Sequence, residues 1–165
     1  MAEKRIELLA PAGNMECLET AFYFGADAAY VGGKNFGLRA FADNFSDFEL
    51  ARAVELAHFA EKKLYVTANA VLYNQELEQL ERYLRYLSHI GVDGLICADP
   101  AVIRIVKNNK IPLPLHLSTQ VNTSNFMSAL FWHEQGVERI ILSREVALSD
   151  IIEIRKHSPD NLELE

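Results

Sequence analysis

Three stretches of the chain repeat one order of polar and apolar positions: Gly25-Ala26-Asp27-Ala28-Ala29-Tyr30-Val31-Gly32, Gly91-Val92-Asp93-Gly94-Leu95-Ile96-Cys97-Ala98 and Gly136-Val137-Glu138-Arg139-Ile140-Ile141-Leu142-Ser143. Each is a glycine, a small or aliphatic residue, an acid, then a short apolar run. A glycine there can take the left-handed conformation that closes a helix, and the run after it lacks the alternation of a half-wet strand. It suits a strand covered on both faces, so the repeats predict helix-to-strand junctions of a parallel sheet. The predicted strands are Ile6–Leu9, Ala28–Val31, Leu64–Ala68, Gly94–Cys97, Leu113–Leu117 and Arg139–Leu142.

Amphipathic stretches with legible starts lie between these runs. Asn14 caps a helix carrying Met15, Leu18 and Phe22, and Ser46 with Glu49 forms a capping box ahead of Leu50, Ala53, Val54 and Ala57. Asn74 precedes the stripe Leu77, Leu80, Leu84, Leu87, while Asp99-Pro100 is a cap followed by proline at the first helical position. Thr123 or Ser124 opens a fifth helix and Ser149 a sixth. The order is six β-then-α units, and Leu162-Glu163-Leu164-Glu165 reads as the start of a seventh strand.

At about 26 residues per unit, eight units need about 208 residues before insertions, and closed (β/α)₈ barrels run to ~250. The expected fold is therefore α/β, a TIM-type (β/α) barrel truncated after about six units with the seventh strand cut off, over a single partial domain, residues 1–165. An open doubly wound sheet is the alternative, but the first turn, Ala10-Pro11-Ala12-Gly13-Asn14, lacks G-x-G-x-x-G. An unclosed sheet leaves two bare edges, a route to self-association.

Composition narrows the class. Half the residues are apolar and the net charge is −7, so the chain can bury a core and does not read as disordered. No apolar run approaches the ~18 residues of a spanning helix, and Met1-Ala2-Glu3-Lys4-Arg5 is too polar to open a secretory signal, so the expected location is cytoplasmic, away from membranes. Cys17 and Cys97 cannot make a disulfide framework or a four-ligand metal site. The acidic balance argues against this segment alone gripping nucleic acid.

In a parallel α/β fold the functional rim lies where the strands end. The residues there are polar and diverse: Asn14 after the first strand; Gly32-Gly33, then Arg39 and Asn44, after the second; Asn69 after the third; Asp99 after the fourth; Ser118, Thr119 and Gln120 after the fifth; Arg144 and Glu145 after the sixth. As substrate-binding candidates we take Asn14, Arg39, Asn69, Asp99, Ser118, Gln120, Arg144 and Glu145. Asn14 and Asp99 also read as plain helix caps, and Arg144 beside Glu145 as a loop-holding ion pair. His116 alone among the histidines lies inside a predicted strand, from where it could point into the barrel. No H-E-x-x-H, paired histidine or G-x-S-x-G occurs, so no metal ligand or catalytic residue is named.

Leu8-Leu9-Ala10-Pro11-Ala12-Gly13-Asn14, the Gly25–Gly33 stretch, Phe36 through Arg39-Ala40, Asn44-Phe45, Val66-Thr67-Ala68-Asn69, His116-Leu117-Ser118-Thr119-Gln120 and Ser143-Arg144-Glu145 resemble the N-terminal part of the collagenase-like peptidases, peptidase family U32. The resemblance runs from about Leu8 to Glu165. It implies a TIM-type barrel whose signature glycines and cysteines follow this segment, no cofactor held by the segment itself, and an iron–sulfur cluster in the full-length protein of several members. Two activities follow. The first is peptidase action on proteins, with this segment inactive alone. The alternative is iron–sulfur-dependent hydroxylation of tRNA or rRNA bases, the mouth holding a polar substrate or a prephenate-like cosubstrate. The substrate is accordingly a protein or an RNA, engaged by the full-length protein.

Overall fold

The acid of the repeated glycine-x-acid motif stitches neighbouring strands together. In the computed structural model, which describes residues 6–38 and 44–165, the Asp27 carboxylate accepts the backbone N–H of Leu8 at 3.0 Å. The Asp93 carboxylate accepts that of Leu64 at 2.8 Å. Their backbone N–H groups donate back, Asp27 to the Leu8 carbonyl and Asp93 to the Leu64 carbonyl, as Glu138 does to Leu115. Asp27 and Asp93 thus each satisfy an N–H where the preceding strand begins, a group with no ladder partner of its own. Gly25, Gly91 and Gly136 all have positive φ, 98°, 84° and 100°. They turn the chain out of each helix as the pattern predicts.

Seven strands form one sheet in chain order: β1 (Leu9–Pro11), β2 (Ala28–Gly32), β3 (Lys63–Ala68), β4 (Gly94–Cys97), β5 (Leu115–Leu117), β6 (Arg139–Ile140) and β7 (Glu163–Leu164). Every neighbouring pair is parallel. Helices α1 (Met15–Tyr23), α2 (Asp47–Phe59), α3 (Leu77–Ile90), α4 (Pro100–Asn108), α5 (Phe126–Glu134) and α6 (Leu148–His157) fill the crossovers. The seventh apolar segment is a strand paired to β6, through Arg139 beside Glu163 and Ile140 beside Leu164.

The sheet is curled. Laid flat, β1 and β6 would stand about 24 Å apart at ~4.8 Å per strand. Yet the Arg139 guanidinium of β6 meets the Glu7 carboxylate, just before β1, at 2.7 Å. Period-two alternation sorts the strand residues: Leu64, Val66 and Ala68 join Leu95, Leu117 and Ile140 in the main core under the helices, while Tyr65, Ala28 and Ile96 form a second cluster with Leu9, Tyr30 and Ile141 on the concave side. The architecture is a seven-stranded parallel half-barrel with helices outside.

Two helix starts differ from the sequence reading. Asn125, rather than Thr123 or Ser124, caps α5, its side chain accepting from Ser128 N at 3.0 Å; Thr123 is turned inward and fully buried. Helix α6 begins at Leu148 after Ala147, which has no side-chain cap, so Ser149 is already inside it. Asn74 opens a single 3₁₀ turn, Asn74–Glu76, and α3 follows from Leu77. Asn14, Ser46 and Asp99 cap as predicted, Ser46 in a full capping box and Asp99 with Pro100 behind it. No described helix is long and apolar enough to cross a membrane.

Candidate functional site

The concave side has two ends of different chemistry. At the end where strands begin, Arg139 is buried and fully engaged. Its Nη1 donates to Glu7 at 2.7 Å, its Nε and Nη2 to Glu163 at 2.8 and 2.6 Å, and Glu165 lies 3.5 Å away. Its guanidinium also sits 5.0 Å from the centroid of the Tyr65 ring. Glu7 accepts further from Tyr65 Oη at 2.8 Å and Lys63 Nζ at 2.9 Å. Burial alone would raise the Glu7 pKa, but the hydrogen bonds from Arg139, Lys63 and Tyr65 and the charge of Arg139 outweigh it, holding the carboxyl at about 2. Burial would likewise lower the Arg139 pKa, and the two glutamates reverse it, so the guanidinium stays charged.

His116 does point inward. Its ring packs edge-on against Tyr65, centroids 4.6 Å apart, and its Nδ1 is buried without a partner. Burial, reinforced by the charge of Arg139, pushes the imidazole down to about 4, so it is neutral at physiological pH. Gly94 makes the space: a Cβ there would lie 2.6 Å from His116 Cε1 and 2.9 Å from Tyr65 Cδ1. This end is a packed, salt-bridged floor. Sequence reasoning missed it because the pairing of Glu7 with Arg139 joins residues at opposite ends of the chain. A charge at or just before the start of four strands, Glu7, Lys63, Arg139 and Glu163, was the available signal.

At the other end the strand termini enclose a cavity of about 700 Å³. Leu9, Tyr30, Ile96 and Ile141 form its apolar bottom, and Asn69, Ser118, Gln120, Arg144 and Glu165 are among its polar walls. Here Asn69 Nδ2 donates to Gln120 Oε1 at 2.8 Å, and Gln120 Nε2 donates to the Asn69 carbonyl at 3.4 Å. The Ser118 hydroxyl donates to the same Gln120 oxygen at 3.1 Å and accepts the Gln120 N–H at 3.4 Å. Leu38 N donates to Asn69 Oδ1 at 3.3 Å. Burial, helped by the negative charges of Glu7 and Glu163 and only partly offset by Arg139, leaves the Glu165 carboxyl raised above its ordinary range.

Four of the eight predicted positions, Asn69, Ser118, Gln120 and Arg144, therefore line one cavity. Asn14 and Asp99 lie outside its lining, and their side-chain oxygens bind backbone N–H groups of the helices they start, Cys17 at 2.9 Å and Ala101 at 2.8 Å. Glu145 is exposed in the Ser143–Val146 turn, forms no ion pair with Arg144 and does not line the cavity. Arg39 lies outside the described residues. Tyr30 and Thr67 line the cavity though the sequence reading did not name them; period-two alternation from Gly32 and Asn69 would have found both.

Neither cysteine fits the iron–sulfur cluster that the resemblance implies for full-length proteins. Cys17 is exposed on α1, and Cys97 is buried in the helix-facing core, its thiol pushed up to about 12 by burial and by Asp99. Among the described residues no three metal-binding side chains converge. What the mouth can do with its own groups is bind: Arg144 offers a two-pronged guanidinium and the amides offer directed hydrogen bonds above an apolar bottom.

The chain is similar to several known proteins along nearly its whole length. Over 153 residues, 93% of this chain and 36% of the relative, it is 42% identical to tRNA hydroxylation protein P1 of Bacillus subtilis. Over 163 residues, 99% of this chain and 24% of the relative, it is 35% identical to the 23S rRNA 5-hydroxycytidine C2501 synthase of Escherichia coli. The chain thus spans about a third or less of the length of these curated relatives. Among solved structures, that of the U32 peptidase Mk0906 superposes with a TM-score of 0.78 at 16% identity, covering 99% of this chain and 69% of that one. The family model for peptidase family U32 matches residues 13–165, and with the same half-barrel present in a U32 structure, this chain belongs to peptidase family U32.

Proposed function

We propose that this chain supplies part of the barrel of an RNA-hydroxylation protein, with the cavity at the strand ends as its binding mouth. The observation that carries this reading is the extent of the likeness to tRNA and rRNA hydroxylation proteins, up to 99% of the chain at 35–42% identity, a span that takes in the mouth. The mouth chemistry supports it. Amides and a guanidinium above an apolar bottom suit a polar ring carrying acceptor oxygens. The peptidase reading, which the family name puts first, finds less support: Cys97, the buried thiol, faces the helices and is held protonated. The cytoplasm is the proposed location, and the cluster implied by the resemblance would draw its ligands from outside the described residues.

The test is a chimera. This chain replaces the matching segment of the Bacillus subtilis tRNA hydroxylation protein P1 in cells lacking their own tRNA hydroxylation proteins, and tRNA nucleosides are quantified by mass spectrometry. Hydroxylated nucleosides are expected to return. A chimera that accumulates in folded form and restores none would overturn the proposal.

A further inference from the structure

Between Asp99 and Glu134 the sequence holds no aspartate or glutamate, in a chain that has 23 acids and a net charge of −7. That run builds α4, β5 and α5, and it carries Arg104, Lys107 and Lys110. All three are exposed, and none has an acidic partner among the described residues. On the α3 side the nearby acids are already neutralised, Glu78 by Arg82 at 2.6 Å and Glu81 by Arg85 at 2.8 Å. Arg85 also donates to Asn109 at the end of α4, at 3.1 Å. On the α5 side Lys107 Nζ donates to the Glu134 carbonyl at 3.4 Å. The acids return only there: Glu134 and Glu138 line a groove of about 580 Å³ together with Lys107 and Lys110. At physiological salt a charge is felt over only about 8 Å, so an approaching anion meets this local excess and not the charge of the whole chain.

Lys110 stands where the backbone favours glycine. Helices α1 to α5 end alike, with a residue of positive φ and then an N–H that reaches back: Ala26 to Ala21, Lys62 to Ala57, Val92 to Leu87, Ile111 to Val106 and Val137 to Trp132. The positive-φ residue is Gly25, Gly91 or Gly136 in three of these turns, Glu61 after α2, and Lys110 at 51° after α4. Glycine takes that conformation without the steric cost a side chain incurs. Nothing in the backbone asks for a lysine at this turn.

Resting on the RNA-hydroxylation reading, we infer that the outer wall at α4 and the adjoining face of α5 form a docking surface for the phosphate backbone of the RNA, separate from the mouth. Helix α4 starts beside the rim at Asp99, and at ~1.5 Å per residue its cations lie roughly 8–16 Å below that rim. A nucleotide inside the cavity does not reach them. The flanking backbone of a folded RNA, with a charge on every nucleotide, can. Met127 and Phe131, one turn apart on α5, are 66% and 51% exposed and set apolar and aromatic surface in the same acid-free run, a pairing that RNA-binding faces use. Contacts to phosphate fix where the RNA lies and carry no sequence preference.

The experiment measures the dissociation constant of the full-length chimera for one tRNA transcript over a range of salt concentrations. Two variants are compared: Lys110→Gly alone, and Arg104→Gln, Lys107→Gln and Lys110→Gly together. The triple variant is expected to bind at least about tenfold more weakly at low salt, and to lower the slope of log affinity against log salt by about two to three. Lys110→Gly is expected to lower that slope by about 0.7–0.9 with no fall in melting temperature, because glycine suits the turn. Unchanged affinity and slope in both variants would overturn the inference, leave the RNA reading standing and give this face to another partner, such as an acidic protein segment. Weaker binding with an unchanged slope would also overturn it, since lost phosphate contacts must reduce the salt dependence. An unsubstituted chimera that binds no tRNA at any salt concentration would remove both.

Discussion

His116 and Glu7 make the floor a pH-sensitive assembly at single-residue scale. His116 is held neutral, its pKa lowered from 6.5 to about 4. The unfolded chain therefore binds more protons than the folded one between those values, so stability falls as pH drops through that window and levels off below it. Glu7, lowered from 4.5 to about 2, acts in the same direction at lower pH: its contribution is complete above 4.5 and is lost as pH falls towards 2. Denaturation of this chain followed from pH 7 to pH 3 should show stability declining already between 6.5 and 4.5. His116→Gln should flatten that part of the curve and leave the steeper loss below 4.5. Parallel curves for the two proteins would show that His116 is not the group responsible.

At the scale of elements, the glycine-x-acid motif works as a joint between one strand's start and the next strand's approach. Asp93→Ala removes the acceptor of Leu64 N, a buried-strand donor with the acid as its partner at 2.8 Å, and also the partner of His58 at 3.1 Å. The expected loss is about 1–3 kcal/mol, the cost of leaving such a donor unpaired, measured by urea denaturation. An effect below about 0.5 kcal/mol, as at an ordinary surface position, would contradict this role for the motif. These joints were legible because local rules govern them: a glycine closes the helix, an acid follows two residues later, and a buried run follows that. The start of α5 was not legible, because Thr123, Ser124 and Asn125 are all good caps and tertiary burial of Thr123 decides among them. The same ambiguity ran through the site. Asn14 and Asp99 occupy strand ends as ligand-binding residues do, but a neighbouring helix N–H claims each side chain first.

For the whole molecule, curling gives the strand ends their meaning. Asn69, Gln120 and Arg144 belong to segments far apart in the chain, and the parallel order β1 to β7 brings them to one cavity. That convergence was readable from strand order alone. The floor was not, since its central ion pairs join β6 to both outermost strand segments, and no local pattern announces a contact across 132 residues. The fold stacks a salt-bridged floor beneath an apolar bottom and a polar mouth. Arg144 is the group on which the functional reading bears most directly: it lines the mouth, is exposed, and has no ion-pair partner among the described residues. The decisive measurement is the level of hydroxylated nucleosides in tRNA from cells whose tRNA hydroxylation protein carries this chain, with and without Arg144→Ala. A fall of at least about tenfold, with the protein's amount and melting temperature unchanged, is the result expected of a lost charge-assisted contact. Undiminished hydroxylation in the variant would contradict the assignment of this mouth to RNA hydroxylation.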